Sequence, residues 1–250
     1  MNKHQFVKLW LVVSLSVLIA AQWVRHALPE AAKIAPQLLE EPIQEPLSTA
    51  SSKPFQVQAG GVEYTINPLY RYDLRGVVVS MHDSQTFWDH LHREWNDHLN
   101  IVDLCVVWGD NVKTDNYRAL DYSSGQFECI VQTRSNEAWQ AFAPAALSNN
   151  HLITDQAAFA KAMRGVRIGD QVHFTGYLAE YSHNAGMNFK RGTSTTRTDT
   201  GNGACETVWI DSFEILKRSG GPWRVLFWLA VAMLVTGVAG WFVLPVGAGD

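Results

Sequence analysis

The feature that most constrains this chain is a run of twenty-two uncharged residues near its C-terminal end, 225–246, VLFWLAVAMLVTGVAGWFVLPV. A helix buried in a soluble core keeps polar positions along one face, and this run offers only Thr236 for that purpose. About twenty apolar residues are what a helix needs to cross the hydrocarbon of a bilayer. Backbone polar groups survive there only in helices or closed barrels. Residues 225–246 are therefore read as a transmembrane helix, with 247–250 as a short tail. Gly237 and Gly240 stand three apart, off the four-residue spacing of a close-packed dimer face, and are read as ordinary packing glycines.

A second uncharged run lies at the other end, residues 9–24 between Lys8 and Arg25. Its sixteen residues are short for a span, but flanking Lys and Arg side chains snorkel, and Trp10 and Trp23 sit where interfacial anchors belong. The rival is a cleaved signal peptide with residues 1–8 as its basic leader. The candidate cleavage signal, Ile19-Ala20-Ala21, lacks a small first residue, so an uncleaved anchor is expected. Mean hydropathy over the whole chain is −0.09, the average of two greasy ends and a polar middle.

Two spans put both termini on one side. The basic residues 1–8 favour the cytoplasm for them, whereas Arg25, Lys217, Arg218 and Arg224 near the membrane point the opposite way. Long loops translocate largely regardless of charge and the first helix usually dominates. The expectation is an extracytoplasmic, periplasmic-side domain with cytoplasmic termini.

Between the spans, residues 25–56 carry Pro29, Pro36, Pro42, Pro46 and Pro54 among acidic and hydroxyl residues, the composition of a semi-rigid stalk. Residues 57–218 are the folded unit. Alternation and β-branched content predict strands at 70–80, 103–108, 126–133, 170–181 and 206–216. Phe87, Trp88, Leu91 and Trp95 recur at helical spacing and predict a helix over 84–96. Thr154 and Asp155 precede a second, through Met163.

A helix between the third and fourth of five strands is the layout of the oligonucleotide/oligosaccharide-binding (OB) barrel. Residues 168–178, IGDQVHFTGYL, resemble the turn and fourth strand of many OB domains. The fold class expected is mainly β with helix insertions, a five-stranded OB-like barrel between two transmembrane helices. A fold of this kind fixes no activity by itself.

Chemistry has three candidate seats. The first is the loop 190–206, KRGTSTTRTDTGNGACE, whose Arg191, Thr193, Arg197, Thr198, Asp199 and Asn202 suit ligand binding beside flexible glycines. The second is a Cys-dependent hydrolase site, with Cys205 as nucleophile, His151 as base and an Asn or Asp, Asn150 the named candidate, as orienter. The third is a metal or haem site drawn from His82, His90, His92 and His98, which lack the Cys/His spacing of zinc modules. Cys105 and Cys129 lie in consecutive predicted strands and are placed to bridge in an oxidising compartment, and pairings with Cys205 stay open.

Net charge is −4, so no positive field invites nucleic acid. The leading reading is a non-enzymatic binding or scaffold module of the cell envelope, without cofactor. Its partners are the lipid bilayer and a protein or envelope ligand met through the barrel and the loop 190–206.

Overall fold

The computed structural model describes residues 3–199 and 204–243; the tail 247–250, Asn202 and the end of the run 225–246 lie outside them. Two compact units are present, residues 1–27 with 219–250, and residues 28–218.

The first unit holds α1 (Lys3–Val24) and, at the other end of the chain, a long helix Trp223–Val243. Among the described residues these are two helices long and apolar enough to cross a membrane. They pack together. Trp10 donates from Nε1 to Met233 O at 2.7 Å, and Ser14, Ala21, Ala230 and Gly237 are buried.

The second unit is mainly β. In chain order it contains β1 (Ile43–Pro46), β2 (Phe55–Ala59), the long β3 (Val62–Asp83), the single turn α2 (Leu91–Glu94) and β4 (Asn100–Val107). There follow α3 (Asp110–Lys113), β5 (Asp121–Gly125), β6 (Glu128–Gln132), α4 (Asn136–Ala141) and β7 (Leu147–Ile153). Last come α5 (Ala157–Arg164), β8 (Gln171–His183), β9 (Phe189–Arg191) and β10 (Glu206–Lys217). The helix Trp223–Val243 is α6.

Eight strands form one sheet, and β5 with β6 a separate hairpin. The pairings β3–β4, β4–β7, β7–β10, β10–β8 and β8–β3 return to their starting strand, and β7–β10 is the one parallel member of that circuit. β3 makes this possible by its length: along one edge it pairs in turn with β2, β1 and β4, while the other edge pairs with β8. Where β10 and β8 cross most closely only glycine fits, because a Cβ on Gly176 would lie 1.8 Å from Trp209 O.

Alternation along the strands sorts the core. Tyr72, Leu74, Leu104, Val106, Leu152, Phe174, Leu178, Val208 and Ile210 share one cluster with Ala160 and Met163 of α5. The opposite side of β3 and β4 (Val77, Val79, Cys105, Val107) packs under Leu38, Val112, Tyr117, Leu120 and Phe142. Every residue of β4 is consequently buried.

Three expectations need correction. Residues 126–133 supply β6, an arm of the separate hairpin; the strand between β4 and β10 is β7, whose polar Ser148, Asn149, Asn150 and His151 are all buried. Helix over 84–96 shrinks to Leu91–Glu94. Asp83 caps Gln85 N, and Ser84 Oγ bonds the carbonyls of Asn100 and Ile101, so the chain turns instead of winding. Phe87 and Trp88 consequently stand 82% and 77% exposed.

The stretch read as a stalk belongs to the folded unit from Leu28 onward. Leu38 is fully buried, β1 pairs with Tyr70–Asp73 of β3, and Tyr117 donates from its hydroxyl to Pro29 O. Two of its prolines fall where no amide hydrogen is needed, Pro36 at the start of a 3-10 turn and Pro46 at the end of an edge strand.

Candidate functional site

The outer side of β4 and β7 carries polar groups at one end, and the elements around them converge on Asp103 and His151. Asp103 sits in β4 between apolar neighbours, and the antiparallel register sets it opposite His151 of β7. His151 Nδ1 lies 2.6 Å from Asp103 Oδ1, and Arg191 of β9 donates from Nη2 to His151 Nε2 at 3.1 Å. A ring nitrogen that accepts carries no proton, so the imidazole is neutral and protonated on Nδ1, which donates to Asp103.

Burial pushes the His151 pKa down, the Asp103 charge pulling the other way. Burial likewise opposes the charge on Asp103. The imidazole, with Asn100 and Arg191, outweighs it and holds that carboxyl well below the usual range.

A chain of hydrogen bonds runs on from Asp103. Asn100 donates from Nδ2 both to Asp103 Oδ1 at 2.8 Å and to His92 Nε2 at 2.7 Å. His92 must then carry its proton on Nδ1, which lies 2.6 Å from Asp89 Oδ2; the same oxygen is 2.7 Å from His82 Nε2. Asp89, His92, Asn100, Asp103 and His151 are all buried.

Into this polar surface the β5–β6 hairpin inserts its tip. The two-residue turn is Gln126-Phe127, and Phe127 has φ +68°. A side chain in that left-handed region costs roughly 1–2 kcal/mol, and glycine is the usual occupant. Contacts offset the cost. The Phe127 ring lies 5.3 Å from Trp95 at an interplanar angle of 6°, 4.3 Å from His92, and 3.9 Å beneath the Arg191 guanidinium. Its amide donates to Asp103 Oδ2 at 3.2 Å, and its carbonyl accepts from Asn149 Nδ2 at 3.2 Å. A disulfide between Cys105 of β4 and Cys129 of β6 fastens the hairpin, and Cys205 is free.

The alternative, a Cys-dependent hydrolase arrangement, is not assembled. Cys205 Sγ contacts Phe127 O and Asn149 Nδ2, and burial raises its pKa. Among the described residues no hydrogen bond joins it to His151, whose Nε2 is engaged by Arg191. Asn150 points to the other face, bonded to Ser148 Oγ, Leu104 O and Tyr72. The group that orients His151 is Asp103, missed from sequence although a lone carboxylate within Ile101-Val102-Asp103-Leu104 was its signal.

Of the four histidines proposed as metal ligands the fold gathers two, His82 and His92, with Asp89; their ligand atoms lie within 4.8 Å of one another. His90 and His98 are exposed. The donor accounting above gives His92 Nδ1 a proton rather than a lone pair, so the trio reads as a carboxylate bridging two imidazoles.

In the described part of the loop, residues 190–199 and 204–206, several polar groups are bonded to one another or to β10. Thr193 Oγ1 accepts from Thr207 N, Asp199 Oδ2 accepts from Ser194 Oγ, and Thr198 is exposed. Arg197 reaches over Trp108, 5.0 Å from the ring, with Glu206 Oε1 at 4.0 Å. Burial pushes the Glu206 carboxyl up to about 8, against the pull of Arg197.

No family model, curated protein or solved structure matches this chain.

Proposed function

We propose that this chain is a membrane-anchored, non-enzymatic binding module, built on a five-stranded OB-like barrel carried between two transmembrane helices. The observation that carries the reading is the pairing circuit β3–β4–β7–β10–β8–β3 with β7 and β10 parallel and α5 between β7 and β8. Barrels of that kind present a ligand face on their second and third strands, flanked by the loops after the first and fourth. Here these are β4 and β7 with residues 84–99 and 184–205. Arg191, the exposed Thr198 and the aromatic pair Phe87–Trp88 all lie in those two loops.

The envelope location rests on the length and apolarity of α1 and α6 and on the Cys105–Cys129 bridge, which suits an oxidising compartment. A protein or envelope component is the ligand proposed; the net charge of −4 speaks against nucleic acid.

The test is a photo-crosslinking residue at Thr198 of the full chain in native membranes, with one at the exposed Glu63 as control. A discrete adduct specific to Thr198 is expected, and Cys205→Ala leaves it unchanged. Identical adducts from both positions would overturn the reading. A reporter fused after Asp250 checks that the C-terminal end is cytoplasmic, and one fused before Met1 checks the N-terminal end.

A further inference from the structure

The ligand face of the proposed barrel is already occupied, and its occupant has the contacts of a bound peptide. Phe127 enters from a hairpin that pairs with no strand of the main sheet. Turn chemistry does not call for an aromatic residue there, since φ +68° suits glycine. The side chain is stacked on Trp95 and covered by Arg191, the pairing of ring face and guanidinium by which aromatic anchors are recognised. Both main-chain groups of the same residue are read as well, the amide by Asp103 and the carbonyl by Asn149. Two buried acceptors beside it, Asn100 Oδ1 and Asn149 Oδ1, have no hydrogen-bond partner among the described residues.

We infer that the pocket filled by Phe127 is a recognition site for an aromatic residue presented on a partner polypeptide, occupied in cis by the β5–β6 tip and held shut by the Cys105–Cys129 bridge. The inference rests on the reading of this face as a binding surface. It names the partner's chemistry: a Phe- or Tyr-bearing turn whose amide and carbonyl replace those of Phe127.

The hairpin suits exchange. Two-stranded ribbons are marginally stable alone; the bridge, a 2.7 Å contact between Ser80 Oγ and Ser124 Oγ, and the packing of Tyr122 and Val131 on the apolar cluster of β3 and β4 tie it to the sheet. Opening proceeds by thiol–disulfide exchange with a dithiol reductant. One thiolate of the reductant attacks Sγ of Cys129, the partly exposed partner, and Sγ of the buried Cys105 leaves. The second thiol then releases Cys129. Two electrons and two protons pass to the protein, and the reductant becomes a disulfide.

The test uses the full chain in lipid nanodiscs with Cys105→Ser and Cys129→Ser, which leaves Cys205 as its sole cysteine. Cys205 Sγ touches the Phe127 carbonyl, so its alkylation rate reports whether the tip is seated. At least a tenfold faster alkylation is expected, with amide exchange in β8 unchanged. A synthetic peptide of residues 121–132 carrying Cys129→Ser restores protection at saturating concentration, and the same peptide with Phe127→Ala does not.

Alkylation of folded protein at the rate of Cys105–Cys129-bridged chain, or equal protection by both peptides, overturns the inference. Should the double variant fail to fold, Phe127→Gly gives the turn a residue suited to its φ; after its bridge is reduced with excess dithiol, the aromatic peptide must slow alkylation of Cys205, read separately from Cys105 and Cys129 by peptide mapping. Because no cellular partner is needed, this result stands apart from the Thr198 crosslink, and either can fail alone.

Discussion

Arg191 donates to Nε2 of His151 across 3.1 Å, and that single contact fixes the proton of a buried imidazole on the nitrogen facing Asp103. A guanidinium cannot accept, so protonating His151 requires the Arg191 contact to break and leaves two cations together in a buried place.

The sign of the pH dependence follows. Burial sets the folded pKa of His151 below its ordinary value of 6.5, so below about pH 6.5 the unfolded chain binds a proton that the folded chain refuses. Stability therefore falls as pH drops from about 6.5 toward 5. His151→Gln removes this contribution, and its melting temperature should decline less steeply than that of the native chain over the same range. Equal slopes would show that His151 accepts a proton in place.

Glu206 behaves in the opposite sense. Its folded pKa of about 8 lies above the ordinary 4.5, so between those values the folded chain holds a proton that the unfolded chain has released, and stability falls as pH rises. Glu206→Gln should raise stability by on the order of 1–3 kcal/mol near pH 7–8 and by little near pH 4. Chemical denaturation at the two pH values measures the difference.

Gly176→Ala should be among the most damaging single substitutions in the molecule. Its Cβ would meet Trp209 O at 1.8 Å and Trp209 C at 2.9 Å, both backbone atoms that cannot step aside. A loss above about 3 kcal/mol, or failure to fold, is expected from such overpacking. Gly192→Ala, whose Cβ would meet nothing within 4 Å among the described residues, is the control and should cost less than about 1 kcal/mol.

The helix pair offers a similar contrast. A Cβ on Gly237 would come within 2.7 Å of Leu11 and 2.8 Å of Trp10, whereas among the described residues one on Gly240 would meet only Val7, at 4.0 Å. Gly237→Leu should loosen α1 from α6 and speed amide exchange in both helices. Gly240→Leu should leave exchange within about twofold of the native chain.

How much of this was legible in the sequence depended on whether burial had an apolar signature. β3, β8 and β10 were visible because one face packs on hydrocarbon and alternation survives along much of each, and β4 because it is a short apolar run buried on both faces. β7 was not, because Ser148, Asn149, Asn150 and His151 read as a loop until their hydrogen-bond partners are seen. Those partners come from β4, the β5–β6 tip and β9, all distant in sequence. The hairpin was mistaken for the missing strand because half-exposed ribbons alternate too. Aromatic spacing over 84–96 misled for a related reason: Trp95 packs on Phe127, while Phe87 and Trp88 face outward.

Of the site, Arg191, His151, His82 and His92 were picked out by residue type alone. Asp103, Asp89 and Asn100, the hydrogen-bond partners of the three histidines, are recognisable only once the register of β4 against β7 and the turn after β3 are known.

The length of β3 also sets a timetable for biosynthesis. Its free edge from Thr65 to Val77 is covered by β8, and β8 in turn by β10, which ends at Lys217. At about 5–20 residues per second, synthesis leaves that edge uncovered for on the order of ten seconds or more. Completion of the sheet coincides with emergence of the apolar α6, so a nascent chain must be shielded from edge-to-edge pairing until its last helix is being made. Truncation anywhere before β10 would leave an aggregation-prone intermediate rather than a smaller domain.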